Sequence, residues 1–563
     1  MNKIIFIVLC LLSLCSVGQE YVWDSAVFAE SHNNTMPVYR MELTQADEKV
    51  VLGYYRDSLN IANQSLYSSK NYGVFLAKYN AQDELLWAKT IAERNNLVSG
   101  NTPSIQIDVE GNTYVGLTYI DTLFVDDIPF SVSEDYLYCT DFSILKVDVL
   151  GNLITHVKLN GTCSKVLGSN GVQVDENQNI YLSGHFGNAS NSGSPSCSCI
   201  FGVESFDVEG SSSFLTKINS NNQVVWAKPL GASSNNIKLI DYTIYVVGES
   251  SSSSISFGDY TLNFPSFYDE AGYIAKFDTS GVFHWAKHFG VTAWDSHLQI
   301  LDVNIIDDNN IAVVGSSYTQ SVSNNVYIQG SSTLYGNEWG SDDAFIISYD
   351  SLGSVQWQDI TGGSGQEWFI ESAIDSDKNL FITGIFTSSF AFGENTLTSL
   401  GGEDVLMVAY DSLGNHLLAK NIGGTSLDQG HSIAIDSNDN LFITGATSSQ
   451  QFNLDNIAYE IDNSFIQMFL AKLKLSGIGV HELDLANTIE LYPNPNAGAF
   501  SISSEQNLEQ LEIYNLLGEK VFEKYFEKPT KQFHIESSLI TGVYFVLIKT
   551  EEGNYTAQKM IVE

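Results

Sequence analysis

Residues 75–89 begin with Phe75-Leu76-Ala77-Lys78-Tyr79, pass through a polar turn and end with Leu86-Trp87-Ala88-Lys89. Two short apolar segments around an Asx-rich turn predict an antiparallel hairpin. The same sequence pattern recurs, with turns that begin at Asn80, Asp148, Asn219, Asp278, Asp350 and Asp411. Seven residues after each turn begins comes an aromatic slot, which holds Trp87, Trp226, Trp285 and Trp357, with Thr155 and Leu418 as departures.

A second hairpin precedes each of these hairpins, and its last strand ends in glycine. The glycines recur 61 to 69 residues apart, at Gly53, Gly116, Gly184, Gly248, Gly315, Gly384 and Gly445. Each repeat therefore supplies four short strands. Four-stranded units in tandem are typical of propeller blades, which bury a continuous apolar interior.

The two ends of the repeat region complete one repeat. The seventh copy stops after Phe469-Leu470-Ala471-Lys472 without its Trp strand, whereas Tyr21-Val22-Trp23-Asp24-Ser25 is a Trp strand without a partner before it. A shared blade removes free sheet edges. We therefore predict an all-β fold in which residues 19–477 form a seven-bladed β-propeller closed by the N-terminal strand.

These repeats resemble the secreted bacterial β-propeller (SBBP) repeat family, over roughly Gln19 to Gly477. The consensus is loose, and its specificity comes from seven tandem copies. The resemblance implies a propeller and names no ligand.

Composition narrows the classes of partner. The chain has 563 residues, of which 44% are hydrophobic and 12% aromatic, which is ample for a packed core. Its net charge of −40 comes from 66 acidic and 26 basic residues and would repel nucleic acid over the whole surface. An acidic surface suits cations, neutral sugars or solubility in salt.

The N-terminus has the plan of a secretory signal. Met1-Asn2-Lys3 precedes an apolar run from Ile4 to Leu14, and the small residues Ser16-Val17-Gly18 follow. We predict a signal peptide over residues 1–18, cleaved after Gly18. No other stretch approaches the ~20 apolar residues that span a bilayer, so we expect no transmembrane segment in the mature chain.

Four cysteines remain after that cleavage. Cys139 and Cys163 flank a predicted strand pair and are our candidate disulfide in an oxidising compartment. Cys197 and Cys199 lie in a Ser/Gly-rich insert, where a strained local bridge and two free thiols both remain open. A metal site there would need more ligands than these two cysteines, and His185 is the nearby candidate.

Composition changes after a linker at residues 478–488. Residues 489–563 alternate short strands with Pro, Gly and Asn turns, which predicts a small Ig-like β-sandwich. This segment resembles the type A C-terminal sorting domain of the type IX secretion system. The residues that carry the match are Pro493, Asn494, Pro495, Gly498, Gly518, Gly542, Tyr544 and Lys559.

The resemblance implies a destination. It implies recognition by the type IX secretion machinery and export through the periplasm to the outer cell surface or the medium. An ordinary accessory sandwich is the alternative, since fold alone does not determine function.

Long inserts interrupt the repeats at Tyr119 to Thr140, His185 to Ser212 and Ser317 to Asp343. Loops on a rigid scaffold are the default binding surface, so we predict a ligand-binding face there. Aromatic rings beside acids suit carbohydrate, and the candidate residues are Trp294, Asp295, Trp339, Glu367, Trp368 and Asp428. The alternative is that these residues cap blade ends and bond loop backbone.

The sequence supports three interpretations of the function of the chain. The first is an exported, non-enzymatic adhesion or recognition propeller that binds glycans or surface macromolecules and needs no cofactor. The second is a secreted polysaccharide hydrolase or lyase that uses channel carboxylates. The third is a structural spacer in a surface assembly. Two turns, Asp375 to Asn379 and Asp436 to Asn440, imitate the start of a calcium loop, and a satisfied hairpin turn is the alternative.

Overall fold

The computed structural model describes residues 20–562 with gaps. The gaps are 32–37, 97–102, 133–139, 162, 188–196, 202–203, 209–210, 232, 235, 267, 269, 292–295, 308, 319–324, 337–341, 364, 462–464, 477–488, 497, 505–506, 516–519, 527, 529, 538 and 551–554. The predicted signal peptide lies outside the described residues. Within them every regular element is a β-strand, which confirms the all-β prediction. The chain forms a larger unit, Val22–Leu475, and a second unit that contains Ser476–Glu563.

The larger unit contains strands β1 to β41. The first eighteen are β1 (Glu20–Ser31), β2 (Val38–Leu43), β3 (Lys49–Ile61), β4 (Gln64–Tyr79), β5 (Leu85–Arg94), β6 (Ser104–Ile107), β7 (Thr113–Ile120), β8 (Thr122–Val125), β9 (Ile128–Ser131), β10 (Thr140–Val147), β11 (Leu153–Val157), β12 (Asn160–Gly161), β13 (Ser164–Val174), β14 (Ile180–Gly187), β15 (Cys197–Phe201), β16 (Glu204–Val208), β17 (Ser211–Ile218) and β18 (Val224–Leu230).

The remaining strands of this unit are β19 (Asn236–Ile240), β20 (Thr243–Ser250), β21 (Ser254–Phe257), β22 (Tyr260–Asn263), β23 (Glu270–Asp278), β24 (Phe283–Val291), β25 (His297–Asp307), β26 (Asn310–Tyr318), β27 (Asn325–Ile328), β28 (Leu334–Tyr335), β29 (Asp342–Tyr349), β30 (Val355–Thr361), β31 (Glu367–Ile374), β32 (Leu380–Phe386), β33 (Ser389–Phe392), β34 (Asn395–Thr398), β35 (Asp404–Tyr410), β36 (His416–Gly423), β37 (Asp428–Ile435), β38 (Leu441–Thr447), β39 (Gln451–Leu454), β40 (Ile457–Glu460) and β41 (Gln467–Ser476).

These strands pair antiparallel in groups of four. Among the described strands we number seven such groups: group 1 is β2-β3-β4-β5, group 2 is β6-β7-β10-β11, group 3 is β13-β14-β17-β18, group 4 is β19-β20-β23-β24, group 5 is β25-β26-β29-β30, group 6 is β31-β32-β35-β36 and group 7 is β37-β38-β41-β1. The repeat glycines lie in the second strand of each group. The N-terminal strand β1 lies beside β41, and Lys474 Nζ is 2.7 Å from Asp24 Oδ1.

In groups 2 to 7 the connection between the second and third strands contains a hairpin, which the repeat pattern did not predict. These two-stranded ladders are β8 with β9, β15 with β16, β21 with β22, β27 with β28, β33 with β34, and β39 with β40. Several also pair with the last strand of the preceding group: Phe124 of β8 lies opposite Glu93, and Leu454 of β39 lies opposite Ile422. In these inserts the chain therefore widens the sheets at their outer edges.

Apolar clusters lie between successive groups. Val50 and Leu52 of group 1 pack with Val115 and Leu117 of group 2, all of them essentially inaccessible to solvent. Similar clusters join groups 2 to 6, and another places Phe442 of group 7 with residues of group 1. Burial of each such side chain contributes about 1.5–3 kcal/mol, so the interfaces between sheets contribute strongly to the stability of the unit.

The second unit contains two sheets around one core. Its strands are β42 (Ile489–Tyr492), β43 (Ala499–Ser504), β44 (Leu508–Asn515), β45 (Lys520–Tyr525), β46 (Gln532–Glu536), β47 (Gly542–Thr550) and β48 (Tyr555–Val562). The sheets are β42-β43-β46 and β45-β44-β47-β48. Phe500 and Ile502 of one sheet share a buried cluster with Ile513 and Val546 of the other. In the described part of the chain no helix is long and apolar enough to cross a membrane.

Candidate functional site

The first strands of all seven groups meet around one polar cavity, which we call the inner-strand cavity. Its volume is about 280 Å³. Its polar lining side chains are Glu42 of β2, Gln106 of β6, Asn170 and Gln173 of β13, Lys238 of β19, Asp302 and Asn304 of β25, and Glu371 and Ser372 of β31; Ile433, Ala434 and Ile435 of β37 complete it. A cavity of this size lies at the small end of ligand-binding pockets.

Hydrogen bonds join each first strand to the next around this cavity. They are Gln106 Nε2 to Glu42 Oε1 (3.0 Å), Ser104 Oγ to Ser169 O (3.2 Å), Leu239 N to Gln173 Oε1 (3.3 Å), Asn236 Nδ2 to Asp302 Oδ1 (3.1 Å), Ser372 Oγ to Asp302 Oδ2 (2.6 Å), Ile433 N to Glu371 Oε2 (3.2 Å) and Met41 N to Ser432 Oγ (3.0 Å). Most of the polar lining is therefore occupied in holding strands together.

Arg40 and Glu371 form a buried ion pair beside the cavity. Arg40 Nη1 lies 2.5 Å from Glu371 Oε1, and both side chains are at most one-tenth exposed. Burial raises the pKa of Glu371, with a further contribution from Asp302, and it outweighs the lowering effect of Arg40. Removal of either partner would leave a buried charge uncompensated.

Glu42 and Lys238 are the lining charges with spare bonding capacity. Burial, together with Glu371 and Asp302, raises the pKa of Glu42 to about 7, while Lys238 and Arg40 lower it. Glu42 accepts one bond from Gln106, and the Lys238 ammonium group makes no hydrogen bond within the described residues. The cavity therefore offers a donor in Lys238 and an acid in Glu42 that exchanges a proton near neutral pH.

The cavity is suited to hydrogen-bonded ligands rather than to a metal ion. Among the described residues no group of three or more His, Cys, Asp or Glu side chains is arranged to hold a metal. Amide, carboxyl and ammonium groups together present both donors and acceptors, which matches the hydroxyl groups of a sugar or the charges of a small polar group.

The residues predicted to bind a ligand are found elsewhere. Glu367 and Asp428 begin the first strands of groups 6 and 7 and are fully buried, and Trp368 is half-buried. Gly363 N donates to Glu367 Oε2 at 3.1 Å, and Gly424 N donates to Asp428 Oδ2 at 2.7 Å. These bonds favour a structural role for the two acids. Trp294, Asp295 and Trp339 lie outside the described residues, so the predicted face stays a prediction.

The two calcium-like turns use their oxygens internally. Asp375 accepts hydrogen bonds from the Asn379 backbone at 2.7 Å and from its side-chain amide at 2.8 Å. Asp436 accepts the same pair of bonds from Asn440, at 2.9 and 2.8 Å. Both turns are satisfied Asx turns.

The cysteines are only partly described. Cys163 is buried and takes part in a disulfide. Its predicted partner Cys139 lies outside the described residues, so the pairing stays a prediction. Cys197 and Cys199 lie in β15, where their side chains are not described. For His185, the third candidate metal ligand, burial lowers the pKa of the imidazole.

The charged cavity residues were missed because they lie within regular strands. Arg40, Asp302, Glu371 and Ser432 all lie opposite the residue that precedes a repeat glycine. Glu42, Gln173, Lys238 and Asn304 lie opposite the residue three before that glycine. A superposition of the repeats would have shown polar residues at two inner-strand positions where an apolar residue is expected.

The sorting-motif residues hold the turns of the second unit. Asn494 Oδ1 accepts a bond from Ile561 N at 2.8 Å, and Tyr544 donates to the Ile540 carbonyl at 2.8 Å. Gly498 has a φ of 89°, and its carbonyl accepts bonds from Ser537. Pro493 and Pro495 follow cis peptide bonds, Gly542 begins β47, and Lys559 pairs with Phe545. Gly518 lies outside the described residues.

Comparison with protein families supports the sorting-domain prediction for the second unit. Residues 490–563 match the secretion system C-terminal sorting domain. The C-terminal unit is a type IX sorting domain. The chain is therefore exported through the type IX system to the cell surface or the medium. Residues 418–453 match the β-propeller repeat family SBBP, which confirms the resemblance drawn from the repeats.

Similarity to individual proteins is low. The chain is 22% identical over 502 residues to an uncharacterized WD repeat-containing protein of Acanthamoeba polyphaga mimivirus, which covers 76% of this chain. It spans only 35% of that relative's length. Among solved structures, BamB from Moraxella catarrhalis is 9% identical (81% of this chain, all of that chain, TM-score 0.32). PorZ of the Porphyromonas gingivalis type-IX secretion system is 10% identical, and the match covers 95% of this chain and all of that chain with a TM-score of 0.16.

Proposed function

We propose that the larger unit is a closed seven-bladed β-propeller whose inner-strand cavity recognises a polar, glycan-like ligand on or near the cell surface. Ring closure is supported by the position of β1 beside β41 and by the bond from Met41 N to Ser432 Oγ, which links groups 1 and 7. The predicted ligand-binding face of the inserts, to which Trp294 and Trp339 are assigned from the sequence, would be a second contact surface for adhesion.

One observation carries the ligand proposal: Glu42 and Lys238 line the same cavity and keep bonding capacity that the strands do not use. Buried polar side chains that serve only to join strands have their hydrogen-bonding atoms paired. Asp302 is an example, because its two oxygens accept bonds from Asn236 and Ser372. An ammonium group and a protonatable carboxyl on facing strands can bind vicinal hydroxyls or an acidic sugar through charge-assisted hydrogen bonds.

A glycan array tests this proposal. We expect the purified full chain to bind a defined subset of glycans, and the double variant Glu42→Gln with Lys238→Met to lose that binding by at least about tenfold. The matched control is Lys89→Met, a change at a partly exposed outer-strand lysine that bonds Asn152. Equal array profiles for the chain and the cavity variant would refute the proposal.

A second candidate is hydrolysis or lysis of a polysaccharide. The specific observation in its favour is that the pKa of Glu42 is raised to about 7, chiefly by burial, beside Glu371 and Asp302, which gives a general acid next to further carboxylates. Release of reducing ends from plant, algal and bacterial polysaccharides by the full chain, abolished in Glu42→Gln, would favour this candidate. Binding without turnover would favour recognition.

A further inference from the structure

Lys238 of β19 brings an unused ammonium group into the inner-strand cavity. Its side chain is half-buried and makes no hydrogen bond or ion pair within the described residues. Other donors of the cavity are engaged, since the Gln106 amide bonds Glu42 at 3.0 Å. The Asn304 amide bonds the Ser372 carbonyl at 2.8 Å. Hydrogen bonds between ionised partners are stronger than neutral ones, so Lys238 favours a negatively charged acceptor.

The charged groups around the cavity leave Lys238 with one acid to offset. Among the described residues they are three acids and two bases: Glu42, Asp302, Glu371, Arg40 and Lys238. Arg40 is paired with Glu371 at 2.5 Å. Asp302 accepts bonds from Asn236 Nδ2 at 3.1 Å, from Ser372 N at 3.0 Å and from Ser372 Oγ at 2.6 Å. Glu42 therefore remains as the acid whose charge Lys238 offsets.

The ionisation of Glu42 depends on Lys238. Burial raises the pKa of Glu42 to about 7, and Lys238 is the charge that lowers it most. The other charged groups that act on Glu42 partly cancel, because Glu371 of β31 and Asp302 of β25 raise its pKa and Arg40 of β2 lowers it. A ligand anion bound to Lys238 would remove the main compensation for ionised Glu42, which would then take up a proton.

Asn170 of β13 supplies a second contact next to Lys238. Its partner in the parallel pairing of β13 with β19 is Asn236, two residues before Lys238. The Asn170 side chain lines the cavity and makes no hydrogen bond within the described residues. An ammonium group and an amide N–H on neighbouring strands suit the two oxygens of one carboxylate, and protonated Glu42 can donate to a hydroxyl.

This balance of charge distinguishes the classes of sugar. A neutral sugar would leave Lys238 without a counter-ion whenever Glu42 is protonated. An amino sugar would bring a second ammonium group beside Lys238. A sugar carboxylate would take the place of ionised Glu42 and leave the net charge of the site unchanged.

We propose that the inner-strand cavity selects a sugar that carries a carboxylate, such as a uronic acid, and that Glu42 takes up a proton when the carboxylate binds Lys238. This inference rests on the proposed recognition of glycans at the cavity. Ionised Glu42 and the ligand exclude each other, so the cavity holds the acidic sugar below pH 7 and releases it above.

Calorimetric titration of matched sugars into the full chain tests the inference. The probes are galacturonate with galactose and glucuronate with glucose, each at pH 6 and pH 8. We expect the acids to bind more tightly than the neutral sugars, and about tenfold more tightly at pH 6 than at pH 8, because ionised Glu42 is not competent to bind. Titrations at pH 8 in phosphate and in Tris, which differ in ionisation enthalpy, should reveal uptake of about one proton.

Single variants separate the two roles. Glu42→Gln cannot ionise, so it should lose the proton uptake and bind the acids at pH 8 about tenfold more tightly than the parent chain does. Lys238→Met should lose the preference for acids over neutral sugars. The control Lys89→Met should keep the pH dependence of the parent chain.

Three outcomes would overturn the inference. They are the absence of binding by both acids at pH 6, equal affinity for acidic and neutral sugars, and affinity for the acids that does not fall between pH 6 and pH 8. Binding of neutral glycans on the array that is lost in the double cavity variant would then leave the proposed function standing. Array profiles that the cavity variant does not change would refute both.

Discussion

Trp285 packs against Gly353 of the next strand group. Trp285 Nε1 donates a 3.1 Å hydrogen bond to the Ser351 carbonyl, and a Cβ placed on Gly353 would lie 3.0 Å from the indole ring. The same contact recurs where Trp87, Trp226 and Trp357 meet Gly151, Gly281 and Gly414. Where Thr155 replaces Trp, the facing turn carries Asn222, whose amide bonds the Thr155 hydroxyl at 3.1 Å.

Gly353→Ala should therefore destabilise the larger unit by more than backbone strain alone. Gly353 has a φ of 81°, which costs about 1–2 kcal/mol for alanine, and the methyl group would also displace the Trp285 ring. Gly330 has the same φ with nothing within 4 Å of an added Cβ, so Gly330→Ala is the matched control. Urea unfolding of the two variants should separate them; equal midpoints would show that the ring is not held by this glycine.

Loss of the buried ion pair should cost more at pH 8 than at pH 5. Arg40→Met leaves Glu371 buried without its partner, which we expect to cost about 3 kcal/mol at pH 8. Burial raises the pKa of Glu371, so the carboxyl takes up a proton as the pH falls and the penalty shrinks. The double variant Arg40→Met with Glu371→Gln should recover much of the loss. A cost that is independent of pH would argue against this assignment.

Glu42 should make the chain less stable as pH rises from about 4.5 to about 7. Burial raises the folded-state pKa of Glu42 from its ordinary 4.5 to about 7, so the folded state holds a proton that the unfolded state has released. Stability linked to this group is full below pH 4.5 and falls until pH 7, by about 3 kcal/mol. Glu42→Gln should flatten that part of the pH profile in urea unfolding, and an unchanged profile would place the titration elsewhere.

The disulfide prediction has a direct chemical test. Cys163 is disulfide-bonded. Peptide mapping of the unreduced, exported chain should recover Cys139 and Cys163 in one linked peptide. Recovery of Cys163 with Cys197 or Cys199 would contradict the pairing.

Passage across the outer membrane should depend on the second unit. Deletion of residues 489–563 should leave the chain in the periplasm, and attachment of residues 478–563 to a periplasmic reporter should send that reporter across the outer membrane. Immunoblots of periplasm, cell surface and medium measure both. Normal export of the truncated chain would contradict the assignment of the sorting domain.

The sequence contained most of the fold and little of the site. Turns such as Asp278 to Gly281 and the repeat glycines carry local chemistry that a pattern exposes. The insert hairpins were missed, although two-residue turns such as Asp126-Asp127 have the positive φ values that mark hairpins. Arg40 and Glu371 are 331 residues apart, and no local sequence pattern indicates that two such distant residues meet.

The most direct test of the account is a calorimetric titration of the strongest glycan from the array into three proteins. These are the full chain, the cavity variant Glu42→Gln with Lys238→Met, and the variant Trp368→Ala, which changes the half-buried tryptophan of the predicted binding face. We predict a Kd at least about tenfold weaker for the cavity variant and little change for Trp368→Ala. Unchanged affinity in the cavity variant, with loss in Trp368→Ala, would contradict recognition at the inner-strand cavity.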